Sequence, residues 1–114
     1  MDIQKTYTSL EYPKMVTKRY GRATMYYIPY NVIEDNGTYT YKYVSLTPES
    51  YTYGGLVDAI IGTKYNLSEV LAIVINFVGD SKNVDYKAEF DELQIWRAFA
   101  KDEAKKHFDN TLIA

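Results

Sequence analysis

His107 is the only histidine in this 114-residue chain, so any imidazole chemistry has to run through it. Glu103 lies four residues earlier and shares its helical face, a minimal pair for a metal ion. Catalytic zinc takes three protein ligands, however, and there is no cysteine to supply another. A single histidine close to a helix C-terminus is accounted for by the helix dipole or by a polar surface. A serine–histidine–carboxylate triad would also need His107, yet Ser9, Ser45, Ser50, Ser68 and Ser81 all stand outside any nucleophile-elbow pattern. Asp85, Glu89, Asp91 and Glu92 have the residue types for acid–base work, but helical spacing spreads them along a solvated face rather than into a cleft. Gly54-Gly55 leads into an apolar run without a P-loop or dinucleotide fingerprint, so close packing or a flexible lead-in explains it better than an anion site. These residues point to no catalytic site, no metal and no cofactor.

The tyrosines are the more distinctive chemistry. Eleven of the thirteen lie at or before Tyr53, whereas Trp96 and all four phenylalanines come later, which divides the chain into two structural regimes. Tyrosine offers a rigid aromatic area with a polar tip and is favoured at contact surfaces. Tyr27, Tyr30, Tyr41 and Tyr43 are the candidate binding residues, either as part of a protein-contact surface or as stacking groups for a carbohydrate or another small ligand. The competing reading is that one face of a tyrosine-rich hairpin packs on helices and only Tyr27 sits outside. Lys14, Lys18, Arg19 and Arg22 form a nearby basic cluster, but a formal net charge of -2 and a pI near 5.3 give no overall attraction to phosphate polymers. The cluster reads as a solvated arm, and a nucleic-acid partner is not expected.

The elements that must position these residues follow from the periodicity. Residues 1–24 show no sustained period and read as an arm with at most a short strand. Residues 25–46 read as a β-hairpin, with Tyr39, Tyr41 and Tyr43 alternating against Thr38, Thr40 and Lys42. Asn36-Gly37 predicts a two-residue type I′ turn, because both central positions need positive φ. The resulting register pairs Asp35 with Thr38, Glu34 with Tyr39, Val32 with Tyr41, Tyr30 with Tyr43 and Ile28 with Ser45. It gathers Tyr26, Ile28, Tyr30, Val32, Tyr39, Tyr41 and Tyr43 on one face. Pro29 then falls where a backbone donor is normally needed, which predicts an edge, a bulge or an end to regular pairing there.

Beyond Pro48 the period becomes helical. A first helix is expected over 53–64, with Thr52 as a possible cap and Leu56, Val57, Ile60 and Ile61 on one side. A second is expected from Asn66, whose side chain can cap while Glu69 reaches back to the cap amide, to about Gly79. The middle of this segment, residues 70–75, is apolar all round and rich in β-branched residues, so a buried strand is the alternative. A third helix is expected over 85–108, with acidic residues early and basic ones late to complement its dipole. The fold class is therefore α+β: an N-terminal tyrosine-rich antiparallel hairpin or small sheet followed by three C-terminal helices, in one domain.

The run 70–78 is far short of the roughly 20 apolar residues that span a bilayer, so it is expected to be core and no membrane partner is expected. The first ten residues lack the apolar stretch of a secretory signal, and the absence of cysteine suits a reducing compartment. Three stretches, Tyr26-Tyr27-Ile28-Pro29-Tyr30-Asn31, Val44-Ser45-Leu46-Thr47-Pro48 with Tyr53-Gly54-Gly55, and Glu92-Leu93-Gln94-Ile95-Trp96-Arg97, resemble small, mostly uncharacterised proteins of gut Bacteroidetes phages and prophages, often encoded near tail or other structural genes. The resemblance covers roughly residues 25–106 and supplies no active-site residue. It implies a structural or assembly accessory in the bacterial cytoplasm or on a phage particle. The functional expectation is a non-enzymatic protein-interaction module that associates with itself or a protein partner through the hairpin and the first two helices. The alternative is a carbohydrate or small-ligand binder using exposed tyrosines.

Overall fold

The computed structural model describes residues 5–113, with side chains as far as Asp109. The chain is α+β: a four-stranded antiparallel sheet followed by three helices. Its contacts divide it into two compact units, one ending at Ala59 and the other beginning at Ile60.

In the first unit the strands are β1 (Tyr7–Ser9), β2 (Val16–Tyr20), β3 (Ala23–Asp35) and β4 (Thr38–Leu46), in the order β1-β4-β3-β2. The hairpin turn is as the sequence predicts: Asn36 and Gly37 have φ of 52° and 79°, and Asp35 pairs with Thr38 and Glu34 with Tyr39. The expectation of at most one short strand before residue 25 needs correcting, since the arm contributes two. β1 pairs with β4 through Tyr7↔Tyr41, and β2 pairs with β3 from Val16↔Tyr27 to Tyr20↔Ala23. Gly21, at φ 62°, occupies the first central position of the β2–β3 turn, where type II′ hairpins take glycine.

The predicted register also changes beyond Ile33. Ile33 pairs with Thr40 but Tyr30 pairs with Lys42, so Asn31 and Val32 together oppose Tyr41 in a β-bulge. Asn31 takes φ 53°, a left-handed conformation that asparagine tolerates better than most residues. Upstream of the bulge the pairing becomes Pro29↔Tyr43, Ile28↔Val44 and Tyr27↔Ser45. Side chains alternate with period two, so this one-residue slip moves Tyr26, Ile28 and Tyr30 to the face opposite Tyr39, Tyr41 and Tyr43, and brings Met25 and Tyr27 onto theirs. Pro29 lies past the last residue of β3 that β2 covers, so β3 is an edge on that side where the proline sits.

A single 3₁₀ turn, Pro48–Ser50, follows β4 and is capped reciprocally by Thr47 and Ser50. Helix α1 (Tyr53–Gly62) begins at Thr52, whose Oγ1 accepts from the Gly55 amide at 2.9 Å, so the expected cap is in place. The boundary between the units falls inside α1. Helix α2 (Leu67–Gly79) opens with the predicted capping box: the Glu69 amide donates to Asn66 Oδ1 at 2.8 Å and the Asn66 amide to Glu69 Oε1 at 3.2 Å. The β-branched run is thus helix rather than strand. Helix α3 (Val84–Ile113) is led by Asn83, whose Oδ1 accepts from the amides of Asp85 and Tyr86. In the helical unit Leu93, Ala100 and Ala104 are fully buried. Phe77 and Phe90 stack at 4.1 Å between ring centres, and the Trp96 indole donates to the Ile60 carbonyl at 3.1 Å.

Candidate interaction face

The four candidate tyrosines are all buried. Tyr27 is 7% exposed, Tyr30 5%, Tyr41 9% and Tyr43 4%. Tyr27, Tyr41 and Tyr43 form one aromatic cluster, flanked by Tyr7, Val16, Met25, Val32 and Tyr39. Tyr41 and Tyr43 meet edge to face at 5.5 Å, and Tyr7 packs on both. Tyr30 lies on the opposite face, which also carries buried Ile28, Val44 and Leu46. Both faces of the sheet therefore carry buried side chains. Tyr27 is not the outward residue the hairpin pattern predicts: its hydroxyl shares a 3.0 Å hydrogen bond with the Tyr20 hydroxyl, and that bond, followed by burial, holds its pKa above the ordinary phenol value. Burial first, and then the bond to Tyr41, pushes Tyr43 up to about 12. Such phenols are neutral packing groups with satisfied tips, and they do not line the exposed groove that ligand stacking needs.

The other chemistry-bearing residues are scattered. Asp85, Glu89, Asp91 and Glu92 are exposed along α3, and Asp91 takes an ion pair from Lys87 at 2.6 Å on the surface. No group of three or more histidines, cysteines or carboxylates among the described residues is arranged to hold a metal ion. His107 is half-buried with its ring edge-on to Phe108, and burial lowers its pKa. Gly55 is a close-packing glycine, as the sequence suggested: a β-carbon there would run into the Ser50 carbonyl, whereas one at Gly54 would meet open space. Lys14, Lys18, Arg19 and Arg22 are all exposed. Among the described residues, no buried side-chain polar atom lacks a partner.

Within the helical unit, a groove of about 300 Å³ is lined by Tyr65, Glu69, Ala72, Ile73, Glu89 and Glu92. Its acidic rim is already partly used, because Glu69 closes the α2 capping box.

The unexpected surface lies on α2. The run 70–78 was expected to be core, but α2 has no fully buried residue. Leu67 is 74% exposed, Leu71 52%, Ile75 65% and Val78 76%. These residues follow one another at steps of four, four and three, which sets them on a single stripe of the helix. Val70, Ile73, Val74 and Phe77 fill the adjoining arc of the helix and are half-buried. A helix that is apolar all round is normally enclosed on all sides, and an amphipathic one turns charge outward; α2 does neither. The only charged residue of α2 is Glu69. The signal was legible as the absence of charge from the outer half of a 13-residue surface helix.

Comparison with known proteins returns no match: no family model, no curated protein and no solved structure matches this chain. No helix of the described residues is long and apolar enough to cross a membrane, so the stripe is not part of a membrane-spanning helix.

Proposed function

We propose that this chain is a non-enzymatic protein-interaction module, and that α2 presents its contact face. The observation that carries this reading is the stripe Leu67, Leu71, Ile75 and Val78, four large apolar side chains each more than half exposed on one helix. Contiguous apolar surface of this kind mounted on a folded scaffold is characteristic of binding surfaces, because leaving it in water costs about 25 cal/mol per Å². The four candidate tyrosines of the hairpin are buried, which favours α2 over them as the contact face. The role we assign is a structural or assembly accessory, in the bacterial cytoplasm or on a phage particle. The phage context rests on the three stretches that resemble phage and prophage proteins.

A photo-crosslinking amino acid placed at Ile75 tests the reading in the producing cell. The expected result is a discrete adduct that is absent when the same group replaces Lys87, an exposed charged position on α3, and that is lost in Leu71→Asp. Equal, diffuse labelling from both positions would contradict it.

A further inference from the structure

We infer that the partner α2 takes is a second copy of this chain, joined by antiparallel packing of the two α2 stripes about a twofold axis. This rests on the interaction reading above and supplies its partner.

Charge is the first argument. The stripe and Ser68 beside it are uncharged, and Glu69, the one charged residue of α2, lies on the far side of the helix, so nothing α2 presents on this face selects a charged partner. A second copy presents the same uncharged face and meets it without like-charge repulsion.

Shape is the second. The leucines, Leu67 and Leu71, occupy the N-terminal half of the stripe, and the β-branched residues, Ile75 and Val78, the C-terminal half. Antiparallel pairing sets Leu71 against the copy's Ile75 and Leu67 against its Val78, so a γ-branched side chain meets a stiffer β-branched one at every level. The two pairings agree in register to within one residue, as an isologous interface requires. Parallel pairing would place leucine on leucine and valine on valine, and would align the helix dipoles, which antiparallel packing opposes favourably.

Area is the third. Four side chains at these exposures present on the order of 500 Å² per copy, the scale of the largest apolar patch on a monomer. Complete burial of the stripe on both copies would remove at most about 1,000 Å², the lower bound for a specific interface, so the dimer should be a weak one that forms at micromolar or higher concentrations and comes apart on dilution.

The chain contains no cysteine, so introduced thiols report geometry without background. Leu71→Cys and Ile75→Cys chains, mixed in equal amounts and oxidised in a glutathione buffer, should give the 71–75 heterodisulfide well above the half of all disulfides that random pairing yields. Light scattering on the unmodified protein should show a monomer–dimer equilibrium in the micromolar range. Leu71→Asp should raise the dissociation constant at least about tenfold, since it buries an unpaired charge twice in the symmetric contact. Ile75→Gln, a milder change, should weaken the dimer in the same direction with unaltered circular dichroism. A strict monomer throughout that range, or a heterodisulfide at or below half of all disulfides, would overturn the inference. If the protein is monomeric while Ile75 still crosslinks one discrete other protein, the interaction reading stands without this partner; if neither contact exists, both fall.

Discussion

Tyr27, Tyr41 and Tyr43 each carry a hydroxyl and are nevertheless buried, whereas Leu67, Ile75 and Val78 carry no polar side-chain atom and are mostly exposed. The sheet unit solves a difficult burial problem by stacking phenols edge to face and giving their tips to one another, as Tyr20 and Tyr27 do. The helical unit leaves an easier problem unsolved on α2, where uncharged aliphatic side chains need only a surface to lie against. The difference teaches that residue chemistry does not by itself locate a contact surface. Aromatic side chains with polar tips are the usual interface residues, and here they are spent on the core. What is left in water is a plain aliphatic stripe on α2, the face proposed above for contact.

The comparison can be broken first at its buried end. Tyr43→Ala removes the least exposed member of the tyrosine cluster and should cost about 3–5 kcal/mol in denaturant unfolding, the range for emptying an aromatic core site. A cost below about 1 kcal/mol would mean that the tyrosine face is not core. A smaller effect is expected where the two glycines meet α1. Gly55→Ala drives a β-carbon into the Ser50 carbonyl and should cost about 1–3 kcal/mol, while Gly54→Ala, in open space, should stabilise by about 0.5 kcal/mol. Equal effects at the two positions would remove the close-packing role of Gly55.

The smallest effect lies in the helical unit and depends on pH. Burial lowers the pKa of His107 below the ordinary 6.5, so the folded state binds fewer protons there than the unfolded chain. The contribution is complete above pH 6.5 and declines as pH falls from that value through the lowered one. His107→Gln should flatten this part of the stability profile measured by urea unfolding, and an unchanged slope would assign the acid sensitivity to other groups.

How much of this was legible in the sequence depended on how local the cause was. The type I′ turn at Asn36-Gly37, the capping box of Asn66 and Glu69, and the three helices are written within a few residues, and the structure carries all of them. The Asn83 cap of α3 is equally local and was overlooked. The bulge at Asn31 and Val32 was not legible, because a hairpin register extrapolated from its turn assumes an unbroken ladder, and one left-handed residue turned every upstream tyrosine to the other face. β1 and β2 escaped for a related reason. They are short, and β2 carries Lys18 and Arg19, so their strand character comes from pairing with β4 and β3 rather than from an apolar pattern. Candidate site residues chosen by type landed in the core. The stripe on α2 was hidden because an apolar sequence does not say whether the fold itself buries it.

The most direct test of the central claim is the thermal unfolding midpoint measured across a wide concentration series for the unmodified protein and for a Leu71→Ser/Ile75→Ser variant. Association through the stripe makes the midpoint of the unmodified protein rise with concentration by mass action, while the variant's stays flat and the two converge at the lowest concentrations. A variant midpoint that lies below the other by the same amount at every concentration would show that these residues stabilise the isolated chain, and would contradict self-association through the α2 stripe.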